Sequence, residues 1–180
     1  MDGTTHVGTR SSYENGELTE ATAGTDPFKL FGHWLDEAEA SGQPEHNAMA
    51  LATVGSASIS CRIVLLRSFN QDGFVFYTNY NSRKAMDLER DARAALTFFW
   101  PGLQRQVRIE GKVEMVPAVE SDAYFATRPR ESRIGAWSSD QSRPVESRAK
   151  LDERFMRWSE RFQDQEVPRP EHWGGLRVRP

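Results

Sequence analysis

Cys61 is the single cysteine in 180 residues. An internal disulfide is therefore excluded, which fits a reducing compartment. The sequence also lacks any run near the roughly 20 apolar residues of a membrane span. Its N-terminus has no apolar signal core. A cytoplasmic protein without membrane contact is expected. The four histidines (His6, His33, His46 and His172) show no ligand spacing, so no metal site is expected. Net charge is only -3 and the pI about 5.9, which argues against nucleic-acid binding by bulk charge. Any cationic site has to be local. The Gly-x-Gly-x-x-Gly and Walker A patterns are absent, and so is a nucleophile elbow.

What is present supports a substantial core. Hydrophobic residues make up 38% of the chain and aromatics 11%, including five Trp and ten Phe. A chain of this length can bury about 70% of its unfolded surface. Residues 1–25, rich in Gly, Thr, Ser and Glu, read as a mobile tail, and residues 26–180 as one domain. Asp26-Pro27 opens a helix carrying Phe28, Phe31, Leu35 and Ala38 at helical spacing. AMALATV, ISCRIVLL and FVFYT follow as short strands separated by turn compositions. Cys61 lies in the second of these and is expected as a buried small hydrophobe. A helix over Ser82–Arg90 precedes the strand AALTFFW. In QVRIEGKVEMV, Val107, Ile109, Val113 and Met115 share one face, and Gly111 marks a bulge or a close backbone approach. Helices are expected over ESDAYFATR and from Val145 to Phe162, the second with Leu151, Phe155, Trp158 and Phe162 as its core stripe. VPRPEHWGG reads as a loop, and LRV as a strand just begun. Together these elements predict an α+β domain built on an antiparallel sheet or barrel.

The cations are the informative polar residues. Ser82, Arg83 and Lys84 stand at a strand-to-helix corner, YTNYNSRKA. Cations at a helix N-terminus oppose the macrodipole, so an anion is expected there to offset the cost. RIVLLR carries Arg62 and Arg67, which point to opposite faces of a regular strand and could serve two different anions. RPRESR adds Arg128, Arg130 and Arg133 beside Ser132. Thr78, Ser82 and Gln106 keep these cations company, and a phosphate accepts from several such donors at once.

In order, DPFKLFGHWLDEA, AMALATV, RIVLLR, GFVFYTNYNSRKA, RQVRIEGKVE, YFATRPRESRIGAW, DQSRPVESRAKLDERF and VPRPEHWGGLRV resemble the pyridoxamine 5'-phosphate oxidase family. The resemblance implies an antiparallel split β-barrel with flanking helices, an FMN cofactor, and a homodimer with the flavins at the subunit interface. It implies that Arg62, Ile63, Val64, Leu65, Leu66, Arg67, Tyr77, Thr78, Arg83, Lys84 and Gln106 line the flavin site, with Gln141 and Ser142 arriving from the partner. Arg10, Tyr13, Arg67, Tyr124, Arg128 and Ser132 would meet the substrate and its phosphate. The implied reaction oxidises pyridoxamine or pyridoxine 5'-phosphate to pyridoxal 5'-phosphate. A hydride passes from the substrate's C4' carbon to the flavin, and dioxygen is the final acceptor. No catalytic side chain is assigned.

Two departures accompany the resemblance. Arg67 stands where most relatives have Lys, and the chain stops at Arg179-Pro180, before a further strand pair with substrate-holding Arg and His. On that reading LRV is left with no following partner strand, and turnover is reduced. The alternatives are a relative acting on another substrate, as in phenazine biosynthesis, or a flavin- or pyridoxal-phosphate-binding protein with little turnover.

Overall fold

The computed structural model describes Gly8, Ser12 and residues 16–180. Their strands are β1 (Ala48–Val54), β2 (Ile59–Leu65), β3 (Ser68–Asn70), β4 (Gly73–Asn79), β5 (Arg93–Trp100), β6 (Arg105–Met115) and β7 (Trp173–Arg179). The helices are α1 (Glu20–Ala23), α2 (Pro27–Ala40), α3 (Arg83–Arg90), α4 (Ala118–Thr127), α5 (Arg130–Ser138) and α6 (Arg148–Arg161). The strands form one sheet in the order β2-β1-β5-β6-β7-β4-β3. β2 also touches β4 from across that order, so the sheet curls. This is the antiparallel split β-barrel with flanking helices that the sequence led us to expect. No described helix is long and apolar enough to cross a membrane.

By compactness the chain divides into two units. The first comprises residues 1–46 and 99–106. Asp26 caps α2 by accepting from the amides of Phe28 (2.9 Å) and Lys29 (3.2 Å), and Pro27 takes the first helical position. Phe31 is buried against Trp100, whose indole donates to the His46 carbonyl at 2.8 Å. Arg105 pairs with Glu37 and lies 4.9 Å over the Trp34 ring. The Arg105 hydrogen bond holds the Glu37 carboxyl below the usual carboxylate range. Within the expected tail, Thr19 and Thr22 cap the single turn α1 reciprocally.

The second unit comprises residues 47–98 and 107–180. Alternate β1 residues are buried, with Met49, Leu51 and Thr53 facing inward. On β4, Phe74, Val75 and Phe76 are all buried, because strands flank it on both sides and other elements cover its faces. Three members of the expected α6 stripe meet in one cluster: Phe162 is buried, and Phe155 and Trp158 pack against it, while Leu151 is only half-buried. The helix begins later than its pattern predicts, at Arg148, because Ser147 accepts from the Lys150 amide and caps it. RPRESR was read only as a cation cluster. It opens α5, which Pro129 separates from α4.

Three expectations are corrected. LRV is not an unpartnered strand: β7 starts at Trp173 and pairs with β4 on one side and β6 on the other. It therefore leaves no open edge. WGG is correspondingly strand, not loop, because Trp173, Gly174 and Gly175 pair with Asn79, Thr78 and Tyr77. Cys61 is exposed, since β2 is an edge strand and Ile59, Cys61 and Ile63 all lie on its uncovered side. Gly111 meets its expected close approach: a Cβ there would collide with the Arg179 carbonyl.

Candidate functional site

The strand-to-helix corner is built by local hydrogen bonds. After β4, the Asn79 side chain accepts from the Asn81 amide at 2.8 Å, and the Asn79 carbonyl accepts from the Ser82 amide at 3.1 Å. Ser82 becomes the N-cap of α3, fully buried, yet its hydroxyl caps no amide. Instead it accepts from the Lys84 ammonium at 3.2 Å. Lys84 donates further to Thr78 Oγ1 at 3.0 Å and to Gln141 Oε1 at 2.6 Å. All three acceptors are neutral. Burial, with Arg62 adding to it, pushes the Lys84 amine down to about 8. The first turn of α3 contains no acid. Positive dipole, uncapped amides and cations thus converge on one spot, a ready anion site.

Arg62 on β2 completes this group. Its Nη1 donates to the Leu51 carbonyl (3.2 Å) and to Thr53 Oγ1 (2.8 Å), and its Nη2 to Ser60 Oγ (2.6 Å). Desolvation lowers its pKa; the buried Asp87 carboxylate, 3.8 Å away, opposes that shift, while nearby Arg83 adds to it. Arg83 is exposed and donates to Ser58 Oγ at 3.2 Å.

A second group forms on the opposite face of β4. Strand alternation sends Thr78 toward Lys84 and Tyr77 the other way. The Tyr77 ring stacks on Tyr124 of α4 at 3.9 Å and on Trp173 of β7 at 5.4 Å. Burial is the main reason its phenol is pushed up to about 12. Gly175 makes room for this stack: a Cβ there would sit 2.9 Å from Tyr77 and 2.6 Å from Val116. Arg128 lies 4.5 Å over Trp173, and Arg67 lies 5.9 Å over Tyr124. The Arg128 Nη1 is buried and has no hydrogen-bond partner. Burial lowers the Arg128 pKa, and Arg67 adds to that. Among the described residues neither arginine has a carboxylate partner. Two neighbouring cations, one of them carrying an unspent buried donor, are arranged for an anionic ligand.

The sequence-derived candidates therefore separate. Arg62, Thr78, Arg83, Lys84 and Gln141 converge at the corner, and Gln141 gets there within a single chain. Arg67, Tyr77, Tyr124 and Arg128 converge at the aromatic stack. Arg62 and Arg67 do part company as expected, for an added reason: β2 ends at Leu65, and the Arg67 amide already pairs with Val75 at the entry to β3. Ile63 is exposed, Leu66 is buried, and Val64 and Leu65 lie between these extremes. Ser132 is half-buried on α5. Ser142 sits exposed in a left-handed turn, φ 67°. Gln106 is exposed and belongs to the first compact unit. Arg10 and Tyr13 lie outside the described residues. Sequence reasoning missed Thr53, Asp87 and the Trp173 platform. Asp87 was readable only as one of many helix-surface acids, three residues after Lys84.

The curled antiparallel sheet and its helices define a split β-barrel of the type found in FMN-binding proteins. The fold matches PhzG from Burkholderia lata 383, solved with tetrahydrophenazine-1-carboxylic acid, with TM-score 0.84, 26% identity, and coverage of 91% of this chain and 82% of that one. It also matches a pyridoxamine 5'-phosphate oxidase-related, FMN binding protein from Nostoc punctiforme (TM-score 0.66, 14% identity, 87% and 82% covered). The family model for pyridoxamine 5'-phosphate oxidase matches residues 35–162, and the chain belongs to that family. Its relatives include pyridoxine/pyridoxamine 5'-phosphate oxidases from Bordetella pertussis and Burkholderia multivorans. The first is 51% identical over 95% of this chain and 81% of its own length, the second 53% over 98% and 83%.

Proposed function

We propose that the protein is an FMN-dependent oxidase that converts pyridoxamine or pyridoxine 5'-phosphate to pyridoxal 5'-phosphate, with dioxygen as acceptor. One observation carries this reading: two cationic groups on opposite faces of β4, one against polar side chains and one against stacked aromatic rings. A phosphorylated cofactor and a phosphorylated aromatic substrate require that pairing. Lys84, Arg62 and Arg83, with Thr78 and Ser82, would hold the FMN phosphate. Arg67 and Arg128, with Tyr124 and Ser132, would hold the substrate phosphate. When bound, the flavin supplies the hydride-accepting chemistry. The chain's part is to fix both phosphates, so that the remote contacts orient the reacting atoms.

The active unit is read as a homodimer. The exposed Ile59, Cys61 and Ile63 on edge strand β2 offer an apolar side for a second copy, and two copies could bring both kinds of cationic group to one site. Sedimentation should show a dimer; a flavin-saturated monomer would overturn this part. A second substrate reading, a phenazine-type carboxylate, is favoured by the structural likeness to PhzG. The arginine pair would serve a carboxylate as well as a phosphate. The higher identity to the B6-phosphate oxidases favours the first reading.

Anaerobic mixing of FMN-loaded protein with pyridoxamine 5'-phosphate tests the proposal. Bleaching of the flavin band is expected. Bleaching only with a reduced phenazine carboxylate would transfer the assignment to that substrate. Binding without bleaching by either would leave a ligand-binding protein.

A further inference from the structure

Asp87 sits where the corner's chemistry least needs it. It is a buried carboxylate on α3, one turn after the two cations that would attract a phosphate. At that position it weakens attraction for an anion, and burial makes its charge costly. It is also embedded in contacts. Asp87 Oδ2 accepts from Thr53 Oγ1 at 3.0 Å, and that same hydroxyl accepts from Arg62 Nη1 at 2.8 Å. Thr53 is 1% exposed, so its hydroxyl has no water to fall back on. Gly55 allows the close approach: a Cβ there would lie 3.1 Å from Asp87 Oδ1.

The corner is assembled from two pieces, Arg62 on β2 and the Arg83-Lys84 pair on α3. These like charges repel one another: Arg83 pushes the Arg62 pKa down, and Arg62 pushes that of Lys84 down. Without a ligand, such a group tends to splay, and a phosphate would have to gather it at an entropic cost. The chain Arg62–Thr53–Asp87 runs from the first piece to the second.

We propose that Asp87, acting through Thr53 and through its own ion pair with Arg62 at 3.8 Å, is the positioning residue that holds Arg62 in register with α3 for phosphate recognition. The three bonds Arg62 makes to Leu51, Thr53 and Ser60 use three of its five N–H donors and fix the guanidinium plane. The remaining donors keep a defined direction. The net effect is a loss of some attraction in exchange for a preformed geometry. This inference rests on the reading of the corner as the FMN-phosphate site.

The experiment compares dissociation constants for FMN and riboflavin on the full chain, which differ only in the phosphate. Thr53→Val keeps the volume and removes the hydroxyl; Thr53→Ser restores it. Thr53→Val is expected to weaken FMN about tenfold and riboflavin by less than about twofold. Thr53→Ser should return the wild-type ratio. The near-isosteric Asp87→Asn provides an independent route should the Thr53 variants fail to fold. It should reduce the FMN preference, and adding Arg62→Ala should cause no more loss than Arg62→Ala alone. An unchanged FMN-to-riboflavin ratio in Thr53→Val and Asp87→Asn would overturn the positioning role while leaving the phosphate site intact. Equal weakening of both ligands would also overturn it, by showing a fold-wide effect. A wild-type protein without preference for FMN over riboflavin would overturn the phosphate site and this inference together.

Discussion

Lys84 and Arg128 are both half-buried cations without a carboxylate partner, but their surroundings have opposite character. Lys84 already spends its donors on Thr78, Ser82 and Gln141. An arriving anion must compete with those oxygens. Arg128 lies on aromatic faces with one buried donor unpaired. That orphan costs about 1–3 kcal/mol until a ligand meets it. The charge states differ too. Burial lowers the Lys84 amine to about 8, whereas a guanidinium stays protonated. One anion site is satisfied and pH-sensitive; the other holds an unsatisfied donor and keeps its charge across pH.

The sharpest way to break this comparison is to remove the corner's cations together. Arg83→Ala with Lys84→Ala should weaken FMN by about a thousandfold, from two charge-assisted bonds of roughly 1.5–3 kcal/mol each. Riboflavin titrated against the same variant should change little. Comparable losses for both ligands would remove the phosphate from this corner.

Arg128→Ala addresses the other site. Losing one such bond should raise the Michaelis constant for pyridoxamine 5'-phosphate about thirtyfold. FMN occupancy, read from the absorbance ratio of the purified protein, should hold. Loss of flavin from this variant would assign the aromatic group to the cofactor.

A subtler perturbation acts through packing alone. Gly175→Ala places a methyl against Tyr77 and Val116. Overpacking of that kind costs about 1–3 kcal/mol, so calorimetry should show Tm falling by about 2–12 °C for a chain this size. The substrate site should suffer while the FMN-to-riboflavin ratio stays put. A change in that ratio would show that the two groups are coupled through β4.

The smallest expected effect is the pH response of Lys84. Its folded pKa is lowered from 10.5 to about 8. Between those values the unfolded chain holds the proton and the folded one does not, so ligand-free stability should rise with pH across that window. FMN affinity should fall across the same window, because the amine loses its charge. Denaturant unfolding and flavin titration at pH 7, 8 and 9.5 check the two opposed slopes. Lys84→Met should flatten both, while substrate affinity at the Arg128 site should show no inflection from this group.

Much of this was legible before any coordinates. Asp26-Pro27 announced the start of α2, alternation marked β6, and Ser82-Arg83-Lys84 pointed to an anion because local dipole and charge conflict there. Where reading failed, the deciding contact was distant in sequence. LRV looked partnerless because its partners, β4 and β6, lie about 60 to 100 residues earlier. Cys61 looked buried because its neighbours are apolar, but β2 takes an edge position that no local pattern reveals.

Sequence by itself determined the element types and the residue chemistry: a basic strand-to-helix corner, an arginine-rich turn, and aromatic strands that must find a core. Those follow from periodicity, capping and charge over a few neighbouring positions, where the physics is local. Only the tertiary structure decided that Tyr77 and Thr78, adjacent in sequence, serve different groups, and that Asp87 reaches Arg62 through Thr53. Which face of β4 meets which helix is set by sheet pairing and burial summed over the whole second unit. No short window of sequence contains that sum.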